Sequence, residues 1–365
     1  MIVLTTLLAE SKLKLNIPSD IKKIHKLFKK NRKQLFVVGG AVRDAILGKS
    51  PKDFDLATDA KPDEVLKIAK QGGLKTVEVG KQFGVVIVSG HEIATFRKDI
   101  GKGRRPDAVD YTDIRGDVMR RDLTINALFY DLDKNEIVDL VGGIKDLKKK
   151  RVRTVGNPNE RFDEDPLRKL RAIRFAGSVG GRMDKETWRA LKKNPSISSV
   201  SSERVRDEFI KGIKKAKSVK YYLKMLQSLG MLTKVLSGLR LNLNFPNTND
   251  YIIQIASMLQ SEPYEKVSRR LNSLKYTTQE IRDIVFLLKL NSFVPKDIMV
   301  IKREQKNVSL SPKQIKLWSS IVGRQILKIW NWKITTSPKD AISQGMKGQQ
   351  IGDYIRQREV DLFTK

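Results

Sequence analysis

The chain has 365 residues, 40% hydrophobic and 31% charged, a balance that suits two or three packed domains rather than a disordered segment. It has no Cys, which excludes disulfides, thiolate zinc sites and Cys nucleophiles, and its two histidines, His25 and His91, lack the spaced partners a His metal site or Ser-His triad needs. Lys and Arg number 72 against 41 Asp and Glu, a net charge of +31 that implies a polyanionic partner, most often nucleic acid.

The charge is uneven. Residues 1–150 hold 30 basic and 21 acidic side chains, while the remainder holds 42 and 20, so the later part carries most of the expected polyanion surface. The apolar stretch Ile2–Leu8 is short and has no basic start, so no signal peptide is expected. No apolar run approaches the roughly 20 residues of a membrane span. A soluble, cytoplasmic setting is the expectation.

In chain order, residues 15–30 read as an amphipathic helix with Ile17, Ile21, Ile24 and Leu27 on one face. Leu35–Val38 reads as a short strand, followed by a Gly39-Gly40 turn and a helix through Leu47. Phe54–Ala57 reads as a strand carrying Asp53 and Asp55 at its start. Pro62 opens a helix to about Lys70, with Asp59 as its cap. Thr76–Val79, Val85–Val88 and Glu92–Phe96 read as strands. Residues 98–118 are polar, basic and Gly-rich and read as a flexible loop. Ala127–Tyr130 and Ile137–Leu140 give two further strands. From Glu160 on, helical spacing dominates, with runs near 203–215, 250–260, 265–274, 278–290 and 311–330. Segment 237–249, rich in Asn and Leu, reads as a domain junction.

Three groups of residues carry chemistry. Asp53 and Asp55 in Lys-Asp-Phe-Asp-Leu are i and i+2 in a strand, so both carboxylates face one spot while Phe54 and Leu56 turn into the core. Such a pair suits Mg²⁺, which takes oxygen ligands and keeps positions open for substrate phosphates. The Gly39-Gly40 turn upstream lets backbone approach a phosphate, and the following helix aims N–H groups there. Glu92 is a candidate third carboxylate, or an ordinary edge-strand Glu. In the second group, Arg120-Arg121-Asp122-Leu123-Thr124-Ile125-Asn126, two guanidiniums suit a triphosphate, and an Asp or Asn suits ribose hydroxyls. The third is Arg161-Phe162-Asp163-Glu164-Asp165-Pro166-Leu167-Arg168, continuing to Arg171 and Arg174. On one helix, Asp165 and Arg168 would be i, i+3 neighbours, a salt bridge or a reader of base edges. An Asp accepts from the amine of C or A and an Arg donates to the adjacent acceptor, a pattern that U and G reverse.

The order Gly-Gly-Ala-Val-Arg-Asp, Asp-Phe-Asp, Arg-Arg-Asp-Leu-Thr-Ile-Asn-Ala, Asp-Leu-Val-Gly-Gly-Ile-Lys-Asp-Leu and Arg-Phe-Asp-Glu-Asp-Pro-Leu-Arg resembles the class II tRNA nucleotidyltransferases, the CCA-adding enzymes, which share a head with bacterial poly(A) polymerases. The likeness is close over residues 35–178 and weak beyond, with a late echo in Gly345-Met346-Lys347-Gly348. It implies an α+β fold: a polymerase-β-like head of mixed sheet and helices over 1–150, a helical neck over 151–237, and a helical, tRNA-binding body and tail over 238–365. It implies template-independent addition of CMP and AMP, from CTP and ATP, to the tRNA 3′ end at the acceptor arm. Asp53 and Asp55 would bind two Mg²⁺, Gly40, Arg43 and Arg121 would contact the nucleotide, and Asp122 and Asn126 would support them. Asp165 and Arg168 would read the base, with Arg171 and Arg174 lining the same pocket. Between Arg97 and Arg120 the chain is a few residues shorter than the family's loop and lacks its acidic stretch. CC-only or A-only addition therefore stays open, as do a poly(A) polymerase and an inactive RNA-binding protein.

Overall fold

The computed structural model describes residues 15–78, 80–101 and 108–365. The chain divides into two compact units, Met1–Ser199 and Val200–Lys365. In chain order the first holds α1 (Ser19–Lys30), β1 (Leu35–Val38), α2 (Gly40–Ile46), β2 (Asp55–Thr58), α3 (Pro62–Gln71), β3 (Thr76–Val77), β4 (Val85–Val88), β5 (His91–Thr95), β6 (Arg97–Ile100), β7 (Ala108–Tyr111), α4 (Ile114–Met119), β8 (Leu128–Asp131), β9 (Glu136–Asp139), α5 (Gly143–Lys148), β10 (Arg151–Val152), α6 (Pro158–Glu164), α7 (Leu167–Val179), β11 (Arg182–Met183) and α8 (Lys185–Lys193).

Seven of these strands form one mixed sheet in the order β3-β4-β5-β2-β1-β8-β9. Its pairs are antiparallel except β2 with β5. β1 sits inside the sheet, and all four of its residues, Leu-Phe-Val-Val, are buried, the composition of a strand covered on both faces. Behind it Phe36, Phe96 and Phe129 meet with ring centroids 5.8–6.2 Å apart in tilted and edge-on geometry. Val38, Ala57, Val118, Ala127 and Val155 complete that cluster. β1, β2, β8 and α4, together with Phe96 directly after β5, are therefore locked to one core.

Several expectations are corrected. Residues 98–118 do not form a loop where described: β6 and β7 pair as a hairpin, Arg97 opposite Tyr111, and α4 follows. Its strands are polar because both faces are largely exposed, so no apolar alternation marks them. The segment 102–107 lies outside the described residues, as does Val79. The first helix begins at Ser19, after Pro18, and buries Phe28 rather than Leu27. The α3 cap is Lys61, whose N–H donates to Glu64 at 2.8 Å, while Asp59 accepts from the Gln34 N–H instead. Helix 311–330 breaks at Gly323 into Pro312–Val322 and Gln325–Asn331. The later half is helical apart from β11, which pairs parallel with β10.

The Asp-Leu-Val-Gly-Gly-Ile-Lys-Asp-Leu segment is architecture. The Asp139 carboxylate accepts four N–H groups, from Val141 to Ile144, at 2.8–3.2 Å, and so caps α5. Buried Asp146 accepts from Thr124 Oγ1, Arg151 and Arg153 at 2.6–2.9 Å. Gly143 is the hinge of this packing, because a Cβ there would lie 2.2 Å from the Thr124 carbonyl oxygen.

The second unit consists, beyond its loops, of helices. Trp318 is fully buried and donates its indole N–H to the Leu287 carbonyl at 3.1 Å. Capping boxes start the helices at Thr278 and Pro312. Segment 237–249 lies inside this unit, tied by the Asn242 N–H to the Met258 carbonyl.

Gly143→Ala is expected to lower unfolding stability by about 1–3 kcal/mol, the cost of forcing a methyl into packed backbone. Urea denaturation followed by circular dichroism checks this, and an unchanged midpoint would show that α5 can yield.

Candidate active site

The C-terminal end of β1 meets the starts of β2, β5 and β8 at one sheet edge, since Val38 pairs with Asp55 on one side and Phe129 on the other. Gly39 leaves β1 there with φ +66°, a left-handed conformation that favours glycine, and its N–H donates to the Leu128 carbonyl at 2.9 Å. It serves as the N-cap of α2.

Asp53 and Asp55 flank buried Phe54 at the start of β2, and both are exposed. Among the described residues neither forms a hydrogen bond or an ion pair, although the chain carries 72 Lys and Arg. Burial raises the pKa of Asp55; the nearby Arg121 charge opposes this and Asp53 adds to it, and the net direction is upward. Two adjacent carboxylates, one partly desolvated and both without a donor, are a donor set that fits a hard cation. On the neighbouring strand Glu92 precedes Ile93, the partner of Leu56, which places Glu92 beside Asp55. Among the described residues no group of three acidic or His side chains is close enough to hold a metal by itself, so the expected trio is not gathered.

Arg121 lies behind this pair. Its Nε and Nη2 donate to Asp117 Oδ2 at 3.2 and 3.0 Å, its Nη1 donates to the Asn126 carbonyl at 3.3 Å, and its guanidinium lies 4.6 Å from the Phe129 ring centre. Arg120 grips the other oxygen, with its Nε at 2.8 Å and Nη2 at 2.7 Å from Asp117 Oδ1. Asp117 is fully buried. Burial opposes its charge, but Arg121 and Arg120 outweigh burial and hold its pKa below the ordinary value.

A second network joins elements far apart in sequence. Arg43 on α2 donates to Asp44 at 2.8 and 3.0 Å and to Asn126 Oδ1 at 2.6 Å. Asn126 donates to Asp122 Oδ1 at 3.1 Å, and Asp122 Oδ2 accepts from Arg171 Nε on α7 at 2.7 Å. Asp122 is buried, and burial works against its charge, yet Arg171 and Asn126 keep its pKa lowered. The Arg43 guanidinium lies 4.9 Å from the Phe175 ring centre, beside Arg171 at 5.7 Å and Arg174 at 4.0 Å.

The Asp165–Arg168 pair departs from expectation. Asp165 is not on a helix face: it sits extended between α6 and α7, where Pro166 forces the break, and its carboxylate accepts the Leu167 N–H at 3.2 Å. Arg168 instead pairs with Glu164 at 2.5 Å and donates to the Arg120 carbonyl at 2.9 Å. Arg161 also pairs with Glu164 and donates to the Met119 carbonyl at 2.8 Å. A cavity of ≈ 270 Å³ opens there, lined by Arg120, Arg161, Glu164 and Arg168 together with Lys98 and Asp99. Asp117, Glu164 and Phe175 were not singled out from sequence. The i, i+3 and i, i+4 spacing of Asp117 to Arg120 and Arg121, and of Glu164 to Arg168, was the available signal.

A model described as the poly(A) polymerase head domain matches residues 35–153, and one described as a probable RNA- and SrmB-binding site of polymerase A matches 182–241. A CCA-adding enzyme of Ligilactobacillus salivarius is 42% identical over 207 residues, 54% of this chain and 50% of its own length. That of Bacillus subtilis is 43% identical over 186 residues, 49% of this chain and 46% of its own. The chain thus spans about half the length of the curated relatives it matches. In fold it is similar to the Bacillus stearothermophilus CCA-adding enzyme in complex with CTP, with TM-score 0.68 and 22% identity over 95% of this chain and 93% of that one. It is also similar to the Thermotoga maritima CCA-adding enzyme complexed with tRNA, with TM-score 0.67 and 20% identity over 96% and 93%.

Asp117→Ala is expected to cost about 3–5 kcal/mol, because it leaves two neighbouring guanidiniums without their shared carboxylate. The lowered Asp117 pKa gives stability that is full above the unfolded value of about 3.9 and is lost as pH falls through the folded value. Urea midpoints measured from pH 7 down to pH 3 should fall more for the wild type than for Asp117→Asn. Equal falls would show that other carboxylates govern acid unfolding.

Proposed function

We infer that this chain, which belongs to the family of tRNA nucleotidyltransferases and poly(A) polymerases, adds CMP and then AMP from CTP and ATP to the tRNA 3′ end without a template. The observation that carries this reading is the donor-free pair Asp53 and Asp55 beside the Gly39 turn and the Arg121 guanidinium.

In the proposed reaction the RNA 3′-hydroxyl oxygen attacks the α-phosphorus and gives up its proton to solvent, the bond from the α-phosphorus to the bridging oxygen breaks, and pyrophosphate leaves with that electron pair. Asp53 and Asp55 would hold Mg²⁺, which would supply polarisation of the phosphoryl oxygens and neutralise developing charge. Glu92, the register neighbour of Asp55 on β5, adds negative charge near the pair without completing a three-carboxylate metal site. Gly39 and Gly40 admit the triphosphate close to backbone. Arg43 and Arg121 supply fixed positive charge, pre-oriented by Asp44 and Asp117, so little reorganisation is needed when substrate arrives. Asp122 and Asn126 hold Arg171 and Arg43 in place and offer oxygens for a ribose hydroxyl. Arg168 and Asp165 read the base edge, for which Arg168 exchanges its bond to Glu164 for one to the nucleotide.

The RNA is gripped by phosphate contacts from the later half. From Phe209 to Asn249 the chain has eight basic residues and no acidic one. Lys211, Lys214, Lys215, Lys217, Lys220 and Lys224 are exposed along that stretch, with Tyr221 exposed among them. Such a surface binds by charge and shape.

The deciding experiment gives CTP and ATP, separately and together, to tRNA transcripts lacking CCA, lacking A, or complete. Addition of the missing nucleotides followed by arrest supports the reading. Arrest at CC, or use of the A-lacking transcript alone, makes it a partial enzyme, and unbounded A tails make it a poly(A) polymerase. Asp53→Asn is expected to keep tRNA affinity and lose transfer by about 10²–10³-fold or more, the scale of one preorganised electrostatic contact. Arg168→Ala is expected to raise UMP or GMP use relative to CMP. Because Arg168 also ties α7 to the Arg120 carbonyl, the incorporation ratio and not the rate is the readout, and an unchanged ratio refutes base reading.

A further inference from the structure

Phe175 is 6% exposed, yet three guanidiniums surround its ring: Arg174 at 4.0 Å, Arg43 at 4.9 Å and Arg171 at 5.7 Å. Like charges gathered this closely repel, and each needs a counterweight to stay in place. Asp44 serves Arg43 and Asp122 serves Arg171. The ring adds something the carboxylates do not. Its π face attracts all three cations without adding a further negative charge beside them. A further carboxylate in the same place would offset more of the positive charge that a triphosphate meets.

Arg43 leaves α2 directly after the Gly39 turn, while Arg171 and Arg174 stand on α7, more than a hundred residues later. The Asn126–Asp122 pair joins Arg43 to Arg171 at one level, and the Phe175 ring joins them at a second. With both links in place the guanidinium positions of two separate elements are fixed before substrate binds.

We propose that Phe175 is a positioning residue for nucleotide binding: its ring holds Arg43, Arg171 and Arg174 together as one preorganised cationic site for the triphosphate of the incoming nucleotide. This rests on the nucleotidyl-transfer reading. It assigns the ring no contact with substrate and no part in the chemical step.

The test uses the full chain with Phe175→Leu, which keeps apolar volume and removes the ring, and Phe175→Tyr, which keeps the ring. Affinity for CTP is measured by titration calorimetry without RNA, so no turnover is needed, alongside KM and kcat for CTP and the thermal midpoint. Phe175→Leu is expected to weaken CTP binding and raise KM about tenfold, the size of a desolvated cation–π contact, with kcat and tRNA affinity close to wild type. Phe175→Tyr should restore most of the affinity. CTP affinity unchanged in Phe175→Leu overturns the proposal. So does an equal loss in both variants that tracks a lowered thermal midpoint, since that is a packing effect alone. Wild-type protein that binds CTP but transfers nothing would sink the reaction assignment and leave the positioning role standing.

Discussion

A single buried carboxylate governs the geometry of the candidate site. Asp117 is fully buried and shared by Arg120 and Arg121, with one oxygen for each guanidinium. A buried charge is costly unless its hydrogen-bonding capacity is filled, and here it is filled by the two side chains whose direction matters. Arg121 is thereby laid over Phe129, a member of the aromatic cluster behind β1, and held near Asp55. The Arg120 backbone carbonyl is fixed in the same act, and that carbonyl receives Arg168 from α7. Sheet edge, arginine direction and α7 docking thus depend on one ion-pair group, and on the short helix α4 that delivers Asp117 to it.

The remaining arginines follow the same pattern, in which each is tied by something other than substrate. Arg43 has Asp44 and Asn126, Arg171 has Asp122, and Arg161 and Arg168 share Glu164. A polyanion site built from free arginines would lose side-chain entropy on every binding event. Here that entropy is lost once, on folding. The arrangement also explains why carboxylates are plentiful in the head, 21 against 30 basic side chains over residues 1–150: many of them orient cations.

How much of this was legible in sequence depends on what signal each element carries. β1, β4 and the strand after Asn126 announce themselves because they are apolar runs of strand length. The Asp53–Phe54–Asp55 alternation was legible because a period of two has one meaning once one face is apolar. The β6–β7 hairpin was not, since its residues are polar on both faces and its register is set by pairing with each other. That error hid α4, and with it Asp117, because a helical i, i+4 relation carries no weight in a segment read as loop. The three-residue spacing of Asp165 and Arg168 suggests one helix face, but Pro166 disfavours a helical residue before it, so Asp165 is extended. Phe175 was invisible for a different reason. An aromatic at helical spacing reads as core, and only coordinates reveal that its neighbours are guanidiniums.

Not every carboxylate of the first unit serves an arginine. Asp44, Asp99, Asp117, Asp122, Asp146 and Glu164 all accept from arginine. Asp53 and Asp55, only one residue apart in the same basic chain, accept from none of the described residues. Desolvation of Asp55 and its repulsion by Asp53 disfavour its charge, and the nearby Arg121 offsets them only in part. Keeping both oxygen sets free at a rigid sheet edge is the arrangement a cation needs, since every protein donor already bound there would have to be displaced first. A bound divalent ion would join the two charges and offset their repulsion.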